Sequence, residues 1–164
     1  MKRITLVRHG KSSWEHRGLS DAERPLLPKG IRRTRLVAQR LMQLSLTPDI
    51  IVTSHAVRAL DTAAIVASIM GIPEKDILIN KQLYLCAPDD VWDVISALPD
   101  EKEHVMLFGH NPGFTDFANS SRITTIDWLP TSGVASAAFT CQLWHQCPGA
   151  FPENPLLILP KNLT

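Results

Sequence analysis

The amino-acid sequence predicts an α/β protein: a three-layer α/β/α sandwich with a mainly parallel sheet. Short apolar runs rich in Ile, Val and Leu recur along the chain, which is typical of strands buried on both faces of a parallel sheet. Segments with apolar residues at helical spacing separate these runs, and the predicted order of elements is β-loop-α-β-α-β-α-β-α-β-β. With 164 residues there is enough chain for one buried core, so we expect residues 1–164 to form a single domain.

The first predicted strand, residues 4–7, leads directly into Arg8, His9 and Gly10. In parallel sheets ligands bind just beyond the carboxyl ends of the strands, and a glycine lets the backbone approach a ligand closely. A cation, a nucleophilic imidazole and an open backbone at that position suit a transferable phosphoryl group. A strand that merely ends in polar residues is the alternative, and three residues alone do not decide between them.

A long polar loop and an amphipathic helix follow. The loop from Lys11 to Lys29 is longer than most connections, as functional loops often are, and an ion pair between Asp21 and Arg24 would fix it. Pro28 opens a predicted helix that continues to about residue 44. Four arginines of this helix lie mostly off its apolar stripe and are expected to form a solvated face rather than a binding patch: Arg32, Arg33, Arg35 and Arg40.

A second strand at residues 49–54 precedes a helix at residues 56–70, and Arg58 lies in the first turn of that helix. A cation there is unfavourable for the helix, because the helix dipole is positive at this end. Beside free backbone N–H groups, however, its guanidinium would form an anion site. A bound anion therefore explains Arg58 better than chance does.

The strand predicted at residues 105–108 ends in a second histidine, His110, followed by a turn. Arg8, His9, Arg58 and His110 each follow the carboxyl end of a separate strand or open the next helix, so we expect them to meet at one sheet edge. The other predicted elements are a strand at residues 77–79, a helix from Pro88, a short helix at about residues 114–119, and closing strands at residues 133–140 and 156–159.

These four residue types favour phosphoryl chemistry over metal binding. Two arginines can hold a phosphoryl group bidentately and cannot lose their charge, while histidine attack on phosphorus would divide one difficult displacement into two easier ones. We therefore expect no metal and no other cofactor. A metal site is the rival interpretation, but the histidine spacing fits no ligand pattern, and nearby arginines would repel a cation.

Composition limits the partners and the compartment. A net charge of +1 gives no reason to expect nucleic acid or a membrane as a partner. No apolar run is long enough to span a bilayer, and the opening apolar run is too short for a signal peptide. The three cysteines are odd in number and contain no C-x-x-C pair, so neither a disulfide framework nor a zinc site is expected, and a cytoplasmic location fits best.

Three ordered motifs resemble the histidine phosphatase superfamily, whose fold is called phosphoglycerate mutase-like. They are Arg8-His9-Gly10 with Lys11-Ser12-Ser13-Trp14, then Ser54-x-x-x-Arg58-Ala59-x-x-Thr62-Ala63, then Gly109-His110-Asn111-Pro112. The resemblance implies that His9 is the nucleophile, that Arg8 and Arg58 clamp the phosphate, and that His110 is a second histidine in the pocket.

Further residues are similar to the phosphohistidine phosphatase (SixA-like) branch: Asp21-x-x-Arg24-Pro25-Leu26, Gly30 and Pro130-Thr131-Ser132-Gly133. From these motifs we expect four substrate-binding residues, namely Ser12, Trp14, Arg24 and Asn111. Only 51 residues separate Arg58 from His110, too few for the helical lid of larger relatives. An open pocket would admit water and a folded protein that carries the phosphate.

A second departure from the family concerns the general acid. Many members carry a carboxylate in the region that matches Gln82-Leu83-Tyr84, and here the nearest ones are Asp89 and Asp90. An alkoxide leaving group, with a conjugate acid of pKa ~15.7, needs a proton, whereas imidazole, at about 6.5, leaves far more easily. A substrate with a P–N bond would tolerate the missing acid.

The sequence thus predicts a metal-independent phosphatase that works through phospho-His9 on phosphohistidine in a protein. One alternative is a small-molecule phosphomonoesterase that acts on a phosphate ester, with Asp89 or Asp90 as the acid. Another is a non-catalytic phosphate-binding module. A mutase is disfavoured, since it must shield its phosphoenzyme from water. His110 is a third candidate for the proton donor.

Overall fold

The computed structural model describes residues 1–15 and 17–163, and in these residues six strands form one sheet. The strands are β1 (Lys2–Arg8), β2 (Ile50–Thr53), β3 (Ile77–Ile79), β4 (His104–Gly109), β5 (Val134–Phe139) and β6 (Pro152–Ile158). Their order across the sheet is β3-β2-β4-β1-β5-β6. The first four strands are parallel, while β5 is antiparallel to β1 and to β6. The predicted mainly parallel α/β fold is confirmed.

Helices cover both faces of the sheet. They are α1 (Pro28–Gln43), α2 (Val57–Met70), α3 (Pro88–Ser96) and α4 (Gly113–Ser120). Buried side chains of α1 and α2 pack on one face, in a cluster with Met106 and Phe108 of β4. Those of α3 and α4 pack on the other face, in a cluster with Val105 and Leu107. Alternate residues of β4 thus serve two cores, because successive side chains of a strand point to opposite faces.

The parallel register brings three strand ends together. Arg8 of β1 lies beside Gly109 of β4, and Phe108 of β4 lies beside Thr53 of β2. The residues that follow these positions, including His9 and His110, therefore emerge at the same edge of the sheet. This edge carries the four residues that the sequence predicted to meet.

The carboxy-terminal region differs most from the sequence prediction. Strand β6 begins at Pro152 rather than at residue 156, since its pairing with β5 continues through a register shift between Ser136 and Ala138. A 3₁₀ helix at Trp144–Gly149, which the sequence did not predict, buries the indole of Trp144. A second 3₁₀ helix, Pro160–Asn162, follows β6.

The cysteines also correct an expectation. Cys141 and Cys147 form a disulfide, with their Cα atoms 5.6 Å apart, whereas Cys86 is free and half-buried. The odd number of cysteines led us to expect no disulfide framework. That number is nevertheless compatible with a single short-range pair, and this pair links Cys141 to the 3₁₀ helix Trp144–Gly149. Within residues 1–15 and 17–163, no helix is long and apolar enough to cross a membrane.

Candidate active site

An open pocket of about 500 Å³ lies at the carboxyl ends of β1, β2 and β4. It is lined by Arg8, His9, Arg58 and His110. The four residues predicted to bind substrate also line it, namely Ser12, Trp14, Arg24 and Asn111, and so do Asp21 and Tyr84, which the sequence did not place in the site. The structure therefore brings together the residues predicted to be catalytic or to bind substrate, but not the candidate acids Asp89 and Asp90.

The hydrogen bonding of His9 leaves one ring nitrogen free. Its Nδ1 lies 2.7 Å from the carbonyl oxygen of Gly10, and because a carbonyl only accepts, Nδ1 carries the proton. The lone pair is therefore on Nε2. Burial, together with the charges of Arg58, Arg8 and Arg24, lowers the pKa of His9 to about 4. The imidazole is neutral at pH 7, as nucleophilic attack requires.

His110 uses the opposite nitrogen for its structural contact. Its Nε2 lies 2.6 Å from the hydroxyl oxygen of Ser54, while its buried Nδ1 has no hydrogen-bond partner. Burial, followed by the charges of His9 and Arg58, lowers the pKa of His110 to about 3. When the Ser54 hydroxyl donates to Nε2, the single proton of the neutral ring lies on Nδ1. The centroids of the His9 and His110 rings are 5.1 Å apart.

Arg8 and Arg58 are each held by hydrogen bonds to the protein, but each also has a nitrogen without a hydrogen-bond partner. Arg8 donates from Nη1 to the carbonyl of Leu129 at 3.0 Å. Arg58 donates to the carbonyl of Asp21 at 2.6 Å and to its carboxylate at 2.9 Å. In both arginines Nε is buried without a partner. Burial lowers the pKa of Arg8, and the neighbouring charge of Arg58 adds to this effect, so the pair would be stabilised by a bound anion.

Unsatisfied buried atoms concentrate in this pocket. Among the described residues four buried side-chain polar atoms lack a partner, and three of them are Arg8 Nε, Arg58 Nε and His110 Nδ1. A buried unsatisfied donor costs about 1–3 kcal/mol, and more when it is charged. All three belong to residues that line one pocket, and the cationic lining favours a bound anion.

Asp21 has a larger role than its sequence position suggested. The predicted ion pair with Arg24 is present at 3.0 Å, but the same carboxylate also contacts Arg58 and accepts a hydrogen bond from the Tyr84 hydroxyl. Burial raises its pKa, but the hydrogen bonds from Tyr84, Arg58 and Arg24 outweigh this and hold the pKa of Asp21 well below its usual range. Asp21 is therefore an ionised carboxylate that positions cations, not a proton donor at neutral pH.

Arg24 is held at the pocket by its neighbours in the loop. Its Nη1 donates to the Ser12 hydroxyl at 2.8 Å and to the Ser13 carbonyl at 3.1 Å. The guanidinium stacks on the exposed ring of Trp14, 3.5 Å from the ring centroid. Ser12 and Trp14 thus fix a third cation beside His9, and their polar and aromatic groups are already in use for that purpose.

Asn111 lines the pocket, but both ends of its amide bind the protein. Its Nδ2 donates to the Leu129 carbonyl at 2.7 Å, and its Oδ1 accepts from the backbone and hydroxyl of Thr115 at 3.1 and 2.8 Å. The same Leu129 carbonyl anchors Arg8. Asn111 therefore positions the Arg8 anchor, a contact that the sequence motif did not reveal.

The two aspartates considered as general acids lie outside the lining of the pocket. Asp90 accepts a hydrogen bond from the Ala87 backbone at 2.8 Å, at the start of α3, and Asp89 is exposed. The ring of Tyr84 lies instead above His110, edge to face at a centroid distance of 5.2 Å. No aspartate other than the ionised Asp21 lines the pocket as the structure describes it.

One hydroxyl joins the nucleophile segment to the arginine helix. Thr62, one turn after Arg58 in α2, accepts a hydrogen bond from the Gly10 backbone N–H at 2.9 Å. It donates in turn to the Arg58 carbonyl at 2.6 Å. The turn that follows His9 and the turn that carries Arg58 are therefore fixed relative to each other through Thr62.

Comparison with known proteins agrees with this geometry. The model of the histidine phosphatase superfamily (branch 1) matches residues 4–82, which include Arg8, His9 and Arg58. An uncharacterised protein of Picosynechococcus sp. is 34% identical over 126 residues, 71% of each chain. An uncharacterised chloroplastic protein of Arabidopsis thaliana is 32% identical over 127 residues, which cover 72% of this chain but only 58% of that protein.

Solved structures with the same fold include two SixA proteins. A SixA from Agrobacterium tumefaciens, assigned as a phosphohistidine phosphatase, has a TM-score of 0.76 and 25% identity over 94% of this chain and 97% of its own. The protein histidine phosphatase SixA in complex with tungstate has a TM-score of 0.82 and 21% identity over 98% of both chains. The resemblance that the motifs suggested is confirmed, and the chain belongs to the histidine phosphatase superfamily.

Proposed function

We propose that this protein is a metal-independent phosphatase that acts through a phospho-His9 intermediate, and that its substrate is phosphohistidine in a protein. The observation that carries the proposal is that Arg8, Arg58 and His110 line one pocket with a neutral His9 whose Nε2 is free. A phosphoryl group, with about two negative charges at neutral pH, is the kind of ligand that these two arginines favour. The bound tungstate of the SixA neighbour, also an oxyanion, is consistent with this.

The reaction proceeds in two displacements. In the first, Nε2 of His9 attacks phosphorus, the bond between phosphorus and the substrate imidazole breaks, and that imidazole leaves with the bonding electron pair. Arg8, Arg58 and the Nδ1–H of His110 stabilise the charge on the phosphoryl oxygens during transfer. In the second, water attacks phospho-His9, which releases phosphate and restores the neutral histidine.

The absence of an available carboxylic acid supports phosphohistidine as the substrate. Asp21 is ionised, and Asp89 and Asp90 lie outside the pocket lining. An alkoxide would have to leave without a proton, whereas a neutral imidazole can leave after taking up a proton from solvent. The pocket is also open to solvent, so a histidine on the surface of another protein can enter it.

Activity on four substrates tests the proposal with one enzyme preparation. Phosphohistidine in a protein and phosphoimidazole are expected to be turned over rapidly and an activated aryl phosphate measurably. A simple alkyl phosphate should be slower by at least the ~10²-fold that general acid catalysis usually supplies. Rapid alkyl phosphate hydrolysis, lost in Asp89→Asn or Asp90→Asn, would instead identify a small-molecule phosphomonoesterase. Phosphate binding without turnover of any substrate would identify a binding module.

A cytoplasmic location remains a prediction from composition, and the Cys141–Cys147 disulfide is the feature that argues against it. Disulfides are rare where glutathione and thioredoxin keep thiols reduced. Rapid acid trapping and alkylation in the cell of origin tests the prediction. Free thiols at both positions support a cytoplasmic protein, and a protected pair indicates an oxidising compartment.

A further inference from the structure

A second cavity, which we call the basic groove, lies between α1 and the 3₁₀ helix Pro160–Asn162. It encloses about 430 Å³. Five cationic side chains line it, and none of its lining residues is acidic: the cations are Lys29, Arg32, Arg33, Arg35 and Lys161. Such a lining favours a ligand with several negative charges.

Within residues 1–15 and 17–163, these cations have no acidic partner. Helix α1 contains five cationic residues and no acidic one among its 16 residues, although the whole chain has a net charge of only +1. Like charges three and four residues apart destabilise a helix, and Lys29 lies in the first turn, where the helix dipole disfavours a cation. An external anionic ligand would compensate for this arrangement.

The basic groove adjoins the catalytic pocket. Arg33, which is half-buried, lines both cavities. A ligand that fills the groove would therefore place its neighbouring groups at the entrance to the site that holds His9. The sequence pattern favoured a solvated face for these arginines, and Arg32 and Arg35 are exposed. The pattern could not show that they line one groove with Pro160 and Lys161.

We propose that the basic groove binds an acidic segment of the protein that carries the phosphohistidine. This inference rests on the proposed function and adds a docking site to it. Leu36, Pro160 and Leu163 lie among the cations, so the groove offers apolar contacts for peptide side chains. No aromatic side chain lines it, although single-stranded nucleic acids typically need aromatic platforms for base stacking. A protein segment therefore fits the groove better than a nucleic acid does.

Two synthetic peptides with one histidine each provide the probes. One carries Asp and Glu around the histidine, and the other carries Asn and Gln at the same positions; both are phosphorylated chemically with phosphoramidate. The wild-type enzyme is expected to have a kcat/KM on the order of tenfold higher for the acidic peptide, mostly through KM. This preference should shrink at high salt, because the interacting charges are exposed.

Two double variants with the same change in net charge test whether the basic groove is responsible for the preference for the acidic peptide. Arg32→Glu/Arg35→Glu reverses two groove charges and leaves Arg33, which also lines the catalytic pocket, unchanged. Lys75→Glu/Lys102→Glu is the control with the same change in net charge, since both lysines line a cavity near the amino ends of β2 and β3, at the opposite edge of the sheet. We expect only the groove variant to lose the preference for the acidic peptide. Both variants should turn over phosphoimidazole within about twofold of wild type.

Binding of the unphosphorylated acidic peptide, measured by fluorescence anisotropy, separates docking from catalysis. Loss of this binding in the groove variant alone supports the proposal even if no phosphopeptide is hydrolysed, an outcome that would overturn the proposed function instead. The docking proposal is overturned by equal turnover of both peptides, by equal losses in the control variant, or by tighter binding of an RNA oligonucleotide than of the acidic peptide.

Discussion

Two buried histidines lie at opposite ends of β4, and the comparison between them shows what distinguishes a site from a core. His104, at the amino end, is 9% exposed, and His110, just beyond the carboxyl end, is 5% exposed. Burial lowers the pKa of both, to about 4 and about 3. His104, however, contacts Thr5 Oγ1 at 2.8 Å through Nε2 and the Thr47 carbonyl at 3.2 Å through Nδ1.

The difference lies in hydrogen bonding rather than in burial or pKa. Both nitrogens of His104 have partners within the fold, whereas Nδ1 of His110 has none. A buried histidine with both nitrogens hydrogen-bonded stabilises the fold, whereas an unpartnered nitrogen needs an explanation. For His110 the position in the lining of the pocket indicates a ligand; His55 Nδ1 is also unpartnered, but His55 does not line the pocket. His9 belongs with His110 by this criterion, since its Nε2 takes no part in the hydrogen bond to Gly10.

The largest effect is expected at His9. His9→Ala removes the nucleophile, so kcat/KM for phosphoimidazole should fall by at least ~10⁴-fold. Wild-type enzyme quenched during turnover should carry acid-labile phosphate on His9, and the variant should carry none. Urea unfolding is the control for folding. Near-normal turnover by a folded variant would exclude the covalent mechanism.

A smaller loss is expected at His110. His110→Ala removes one donor to the phosphoryl oxygens, which typically reduces kcat by ~10²–10³-fold. Truncation also removes the contact between Nε2 and the Ser54 hydroxyl, so the free energy of unfolding should fall by about 1–3 kcal/mol, and rates are compared on folded protein. If the variant unfolds more easily but keeps its activity, His110 is a structural residue like His104, and the comparison fails.

Substitution of Asp21 tests whether Arg24 and Arg58 need a charged partner to stay in position. Asp21→Asn keeps the size of the side chain but removes the charge that holds Arg24 and Arg58. We expect about a tenfold loss of kcat/KM, since misplaced clamps weaken transition-state binding. The loss should appear with phosphoimidazole and with aryl phosphate alike. A loss confined to aryl phosphate would show that Asp21 donates a proton to poor leaving groups.

The smallest effect on catalysis is expected at His104. His104→Gln should keep activity within about twofold but lower the free energy of unfolding by about 1–3 kcal/mol, because it disrupts a buried hydrogen bond. Steady-state rates and urea unfolding measure the two quantities. A large loss of activity at unchanged stability would show that His104 serves catalysis rather than the stability of the core.

His104 and His110 should contribute in the same way to the pH dependence of the free energy of unfolding. In the unfolded chain a histidine binds its proton below about pH 6.5, but His104 stays neutral in the fold until about pH 4. The unfolded state thus binds more protons in this window, and stability falls as the pH falls from about 6.5 towards 4. Either His104→Gln or His110→Ala should make this decline shallower by up to one proton, as urea unfolding between pH 4.5 and 6.5 would show.

The fold and the principal site residues were predictable from local patterns. Buried strands that end in histidine are visible in any window of ten residues, and the parallel sheet then brings His9 and His110 to one edge. The order of strands and α-helices predicted from periodicity agrees with the structure, although β6 begins earlier, and the 3₁₀ helices, such as Trp144–Gly149, were not predicted. Pro152, Asn154 and Pro155 suggest a turn, yet pairing with β5 keeps this stretch extended.

Contacts between distant residues were not predictable. The Asp21 carboxylate contacts Arg58 and Tyr84, which lie 37 and 63 residues away, and nothing in the local sequence of either segment indicates the other. The same holds for Asn111, whose motif resembles that of a substrate ligand although its amide binds Leu129 and Thr115. Which nitrogen of each histidine is free also depends on these contacts and cannot be read from the residue type.

The double contact of Thr62 has a consequence for anyone who would transplant this chemistry. One hydroxyl bridges Gly10, which follows the proposed nucleophile His9, and the proposed clamp Arg58. A design that copied only the histidines and arginines onto another α/β scaffold would leave the spacing between these two segments to chance, and a misplacement of about 1 Å is enough to cost ~10²-fold in rate. The transferable unit therefore has Thr62 as a member, although Thr62 is buried and does not line the pocket.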